Sequence, residues 1–181
     1  MRMREHGGMR AGTRGITSIE LLLDEQAEAR VRADWDALAA AGMSSMAAHT
    51  CASNRPHVTL LARPTAVPQP LRVEASLPLP LVLGPPLLLG EGERRVLARS
   101  IVPSAALLAL QAAVLDAAGE GDEAAHFAPG RWTPHVTLAR RIRLVDLPGA
   151  LGRLGPPIEA HGVALRRWDA ATATVSTVAT G

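Results

Sequence analysis

Pro56-His57-Val58-Thr59-Leu60 recurs 78 residues later as Pro134-His135-Val136-Thr137-Leu138. The context repeats with the pentapeptide. Each copy follows an apolar strand-like run, then a helix-like run ending at a glycine, then a loop. His57 stands 15 residues after Gly42, and His135 stands 16 residues after Gly119. This is the spacing of a duplicated strand–helix–strand unit, with copies at roughly 16–63 and 94–141. It predicts two similar lobes related by a pseudo-twofold axis.

Strand geometry turns the repeat into a chemical statement. Alternate side chains of a strand point to the same face. His57 and Thr59 share one face, and Val58 and Leu60 share the other. His135 and Thr137 divide from Val136 and Leu138 in the same way. Each strand therefore has an apolar side for a core and a side bearing one imidazole and one hydroxyl. Two such strands brought together across an axis place two His and two Thr around one cleft.

The flanking sequence supplies the remaining elements. Ser18 to Leu23 reads as a buried strand. Asp24 is an N-cap, and Glu25 to Ala41 is a helix with Ala27, Val31, Trp35 and Leu38 on one stripe. Gly42 terminates it. Between 67 and 101 the chain reads as short extended pieces broken by Pro and Gly: 71–75, 79–83, 87–89 and a strand from 94 to 102. Gly90-Glu91-Gly92 forms a hairpin-like turn. Ser104 opens a second helix that stops at Gly119. A short helix is expected within 144–154, and strands near 158–166 and 171–178 close the chain. The whole reads as one α+β domain over 16–181. Met1 to Gly15 is basic, has no hydrophobic h-region, and is expected to be a disordered tail.

Composition narrows the class. Nearly half of the 181 residues are apolar, enough to bury a core. There are only three Trp, one Phe and no Tyr, so the core must be built from Leu, Val and Ala. The formal charge of +2, with no block of like charge, suits an anionic substrate but not a nucleic-acid-binding tail. Cys51 is the only cysteine, which excludes an intramolecular disulfide and a multi-cysteine metal site and points to a cytoplasmic compartment. The most apolar run, Leu77 to Gly90, is interrupted by four prolines and cannot be a membrane helix.

Two imidazoles with two hydroxyls suit phosphodiester chemistry. A neutral His takes a proton from the attacking oxygen while a protonated His gives one to the leaving oxygen. The Thr hydroxyls donate to non-bridging phosphate oxygens. No metal or other cofactor is required by this set. A zinc site would need a third or fourth protein ligand, and His49, His126 and His161 do not stand at ligand spacing. A histidine-triad nucleophile would need alternating His on one strand, and Thr occupies that place here. A single His-Val-Thr would read as a half-buried strand residue; the matched pair carries the catalytic reading.

Paired His-x-Thr-x motifs with apolar x resemble the 2H phosphoesterase superfamily, and most nearly its bacterial 2′-5′ RNA ligase/cyclic phosphodiesterase branch. The resemblance runs from Ile16 to the C-terminus. It implies a bilobal α+β fold with two antiparallel sheets around a central cleft. It implies catalytic His57 and His135, with Thr59 and Thr137 binding the phosphate. It also implies a nucleotide or RNA terminus as partner, bearing a 2′,3′-cyclic phosphate or a 2′-5′ linkage. The choice of His135 as base and His57 as acid rests on the same resemblance. RNA end joining on the same site and a non-catalytic RNA- or nucleotide-binding module are the rival readings. No membrane or protein partner is implied, and a monomer is expected.

Further substrate contacts are sought beside the motifs. Arg55, Arg63, Arg131, Arg140 and Arg141 flank them, and guanidinium pairs with phosphate. Strand parity favours Arg141 over Arg140, and Arg55 precedes the first motif. Trp132, three residues before His135, is a candidate base-stacking ring. Trp35 belongs to a helical stripe and is expected in the core.

Overall fold

The computed structural model describes residues 15–64 and 66–181. The expected tail, apart from Gly15, lies outside the described residues. Seven strands and three α-helices follow in the order β1 (Thr17–Leu23), α1 (Glu25–Ala40), β2 (His57–Arg63), β3 (Leu79–Leu89), β4 (Arg94–Ile101), α2 (Ala105–Ala118), β5 (His135–Arg143), α3 (Leu147–Leu151), β6 (Ile158–Asp169) and β7 (Thr174–Thr180).

Local chemistry sets both long helices. The Asp24 carboxylate accepts from the Ala27 amide at 2.9 Å, and Glu25 and Glu28 lie in the first turn, where the helix dipole favours anions. Ser104 caps α2 by accepting from the Leu107 amide at 3.1 Å. Gly42 and Gly119 take φ of 69° and 67° just past the helix ends, a region that glycine enters without steric cost. The buried stripe of α1 is Ala27, Val31, Trp35 and Leu38, as the sequence predicts.

All strand pairings are antiparallel, and the strands form one seven-stranded sheet in the order β1-β2-β5-β4-β3-β6-β7. This corrects the expectation of two separate sheets. Two features join what would otherwise be halves. β6 is long enough to pair with β3 through Ile158–Gly162 and with β1 and β7 through its remaining length. β2 and β5 meet through the single pair Val58–Val136. The additional β1–β6 pairing closes β1, β2, β5, β4, β3 and β6 into a ring. The helices cross over: α1 packs on β6 and β5, and α2 packs on β2 and β3.

Three element expectations change. The pieces 79–83 and 87–89 are one strand, β3, with a register shift between Leu83 and Pro86 that accommodates the two prolines lacking N–H donors. The stretch 71–75 forms no strand. The helix expected over 144–154 shrinks to five residues behind a 3-10 turn, with Pro148 near its start and Gly149 inside it.

A buried ion pair ties α1 to β4. Arg99 on β4 donates from Nε to the Asp34 carboxylate of α1 at 2.6 Å, and both side chains are almost wholly buried. Gly155 completes it, donating its amide to Asp34 at 3.0 Å and accepting from Arg99 at 2.8 Å. Arg63, flanking the first motif, also points inward. Its guanidinium donates to the carbonyls of Ala118 and Gly119 at 2.7 and 2.8 Å and so satisfies the C-terminus of α2.

Candidate active site

Val58 and Val136 are fully buried and paired across the centre of the sheet. Their neighbours in each strand must then point to the opposite face. The antiparallel register sets His57 across from Thr137 and Thr59 across from His135. All four are half-buried, while Leu60 and Leu138 join the valines in the core. The parity read from the sequence holds in both strands.

Each imidazole is held by the backbone in the same way. His57 Nδ1 lies 2.7 Å from the Arg55 carbonyl, and His135 Nδ1 lies 2.8 Å from the Thr133 carbonyl. A carbonyl only accepts, so Nδ1 carries the hydrogen in both rings. Nε2 is therefore the atom left for chemistry: a lone pair in the neutral ring, an N–H in the charged one.

The environments of the two rings differ. Burial pushes the His135 pKa below its ordinary 6.5, the hydrogen bond to the Thr133 carbonyl opposes this, and the nearby His126 and His57 add repulsion that lowers it further. His57 instead has a carboxylate beside it. Glu20 Oε1 on β1 stands 3.7 Å from its Nε2. Glu20 is buried, accepts from the Ser18 hydroxyl at 2.6 Å and from Arg166 Nε at 2.7 Å, and pairs in register with Thr59. The matching position opposite Thr137 is Ala98. The charged network thus lies beside the first motif, and His57 and Thr59 line a cleft whose walls do not include His135 or Thr137.

A bulge follows each motif. β2 carries an extra residue at Leu60, since Thr59 pairs with Glu20 and Leu61 with Ile19. β5 carries one at Leu138, since Thr137 pairs with Ala98 and Ala139 with Leu97. A bulge interrupts the ladder and reverses the parity beyond it. Two indoles serve the carbonyls beside the bulges. Trp132 Nε1 donates to the Thr59 carbonyl at 3.1 Å, and Trp35 Nε1 of α1 donates to the Thr137 carbonyl at 3.0 Å.

The bulges redistribute the candidate substrate contacts. Arg140, not Arg141, lines the cleft with His57 and Thr59; Arg141 is exposed outside it. Arg55 bonds Glu28 on α1 at 2.6 Å, and its contribution to the site is the carbonyl that orients His57. Trp132 packs against the core with its indole N–H engaged, so it is an anchor rather than a free stacking ring. The cleft, about 450 Å³, is instead completed by Ser18, Glu20, Arg166 and Trp168. Sequence reasoning missed these residues. Glu20 did leave a signal, a lone carboxylate inside an otherwise uncharged buried strand. Among the described residues no group of three His, Cys, Asp or Glu side chains is arranged to hold a metal ion.

Comparison with known families decides the affiliation. The model of the 2′-5′ RNA ligase superfamily matches residues 72–180, more than half of the chain. The chain belongs to the 2′-5′ RNA ligase superfamily. This agrees with the 2H phosphoesterase resemblance drawn from the paired motifs. The matched superfamily segment includes the His135 motif and stops short of the His57 motif. Among solved structures, Usb1 of Kluyveromyces marxianus is similar at 15% identity over 90% of this chain and 97% of that one, with a TM-score of 0.49. No curated protein matches.

Proposed function

We propose that the chain is a metal-independent phosphodiesterase that opens 2′,3′-cyclic phosphates, or cleaves 2′-5′ linkages, on nucleotides or RNA ends. In this reading 16–63 and 94–141 are two copies of one unit, each contributing a His and a Thr. The observation that carries the proposal is the matched pair of Nδ1–carbonyl bonds, which makes Nε2 the reactive nitrogen of each ring.

The mechanism follows from the asymmetry between the rings. His135, biased towards the neutral form, accepts the proton of a water whose oxygen bonds to phosphorus. As the bond from phosphorus to the leaving ribose oxygen breaks, His57 gives that oxygen a proton from Nε2. The Glu20 carboxylate is a counter-charge for the imidazolium that makes this transfer. Thr59 and Thr137 donate to the non-bridging oxygens, whose charge grows in the transition state. Acid, base and phosphate donors all come from the chain, which is why no ion is invoked. End joining is the same ring opening with a ribose hydroxyl of a second RNA in place of water.

The test is a panel of nucleoside 2′,3′-cyclic phosphates and 2′-5′-linked dinucleotides assayed in EDTA. Turnover in chelator is expected. Turnover lost in EDTA and restored by zinc or manganese would overturn the metal-independent mechanism.

A further inference from the structure

The chain has four aromatic residues besides histidine, and three have assigned places. Trp35 is buried with its indole on the Thr137 carbonyl, Trp132 is bonded to the Thr59 carbonyl, and Phe127 is buried beside His126. Trp168 on β6 is different. It is half-buried and lines the cleft that holds His57 and Thr59.

Register places Trp168 relative to the reacting groups. Thr59, Glu20 and Arg166 form one row across β2, β1 and β6, and Ala62, Ser18 and Trp168 form the next row. Trp168 is therefore two strands, about 10 Å, across from β2 and one repeat, about 7 Å, along from the Thr59 row. Side chains from both ends shorten that gap to the span between the phosphate and the base of a nucleotide. The intervening floor is Ser18 and Glu20, with Arg166 alongside and Arg140 reaching in from β5. A volume of about 450 Å³ lies within the range of about 300–1,000 Å³ usual for small-molecule sites. The side beyond Thr137 offers no counterpart, since Ala98 and Leu87 stand where Glu20 and Arg166 stand here.

We infer that Trp168 is the nucleobase platform of this enzyme, so that the nucleoside carrying the scissile phosphate lies over β1 and β6 on the His57 side. The inference rests on the phosphodiesterase reading and adds to it the residue that grips the base, so that base-free cyclic phosphodiesters are the poorer substrates. Stacking on an indole requires only the π-face that every base has, so the platform accepts all four bases.

The experiment compares kcat/KM for adenosine 2′,3′-cyclic phosphate and for the 2′,3′-cyclic phosphate of methyl β-ribofuranoside, which lacks a base. Wild type should prefer the nucleotide by about 5- to 150-fold, the range that one base–aromatic stack gives. In Trp168→Ala that ratio should collapse towards one, mainly through KM, while Trp168→Phe should keep most of it. A general folding defect lowers both rates together and leaves the ratio intact, so the ratio reports on the platform. Turnover of both substrates with an equal ratio in wild type and Trp168→Ala would overturn the platform and leave the phosphodiesterase standing. Turnover of neither substrate by wild type would overturn both.

Discussion

Glu20 Oε1 lies 3.7 Å from His57 Nε2, and no carboxylate stands in the corresponding place beside Thr137, where Ala98 occupies the register position. Two motifs of identical sequence are thereby given unequal surroundings. Glu20→Gln keeps the size of the side chain and removes its charge. We expect kcat/KM to fall about tenfold or more, one tenfold step being about 1.4 kcal/mol of barrier. Circular dichroism should show the fold retained. A variant with the wild-type rate would remove Glu20 from the mechanism.

The pH profile should carry the mark of His135. A general base works when neutral, and the His135 pKa is lowered by burial of its ring. The rate should therefore rise with pH along an acidic limb whose midpoint lies below the ordinary His value near 6.5. His135→Ala should abolish that limb. An acidic limb centred above 6.5 in wild type would assign the base elsewhere.

The two histidines act in one coupled transfer. His57→Ala and His135→Ala should each lower kcat/KM by about 10²-fold or more. The double variant should fall short of the product of the two losses. Thr59→Val and Thr137→Val delete a donor without changing shape and should cost roughly 10–10³-fold. Single-histidine variants of near-normal rate would leave the binding-module reading standing.

The indole clamps are open to a conservative test. Trp35→Phe and Trp132→Phe keep an aromatic ring and delete the N–H that serves the Thr137 or Thr59 carbonyl. A buried acceptor left unsatisfied costs about 1–3 kcal/mol. Urea denaturation should show that loss, and kcat should drop as the strand at each Thr loosens. Unchanged midpoints in both variants would show the two bonds to be dispensable.

Asp34→Ala tests the buried ion pair beneath the site. It leaves the Arg99 guanidinium buried without its counter-charge. Breaking such a pair costs about 3–5 kcal/mol. The unfolding free energy from urea denaturation should fall by that amount, whereas a change below about 1 kcal/mol would mean that water replaces the carboxylate.

Local rules were enough for part of this molecule. The pentapeptide repeat and a period of two decide that His57, Thr59, His135 and Thr137 turn away from the buried valines, because parity within a strand needs no partner. Asp24 and Ser104 start their helices and Gly42 and Gly119 end them for equally local reasons. Long-range contacts decided the rest. The join of two expected sheets into one depends on the reach of β6 and on the pairing of Val58 with Val136, and neither pairing can be read from one strand alone. Arg140 rather than Arg141 faces the cleft because bulges in β5, the first at Leu138, shift the side chains beyond Thr137. Trp132 became an anchor because Thr59, 73 positions away, leaves a carbonyl to be met. Glu20, Arg166 and Trp168 joined the site only when β1 and β6 paired. Bulges and cross-strand partners are properties of two chain segments at once, so a reading confined to one segment cannot contain them.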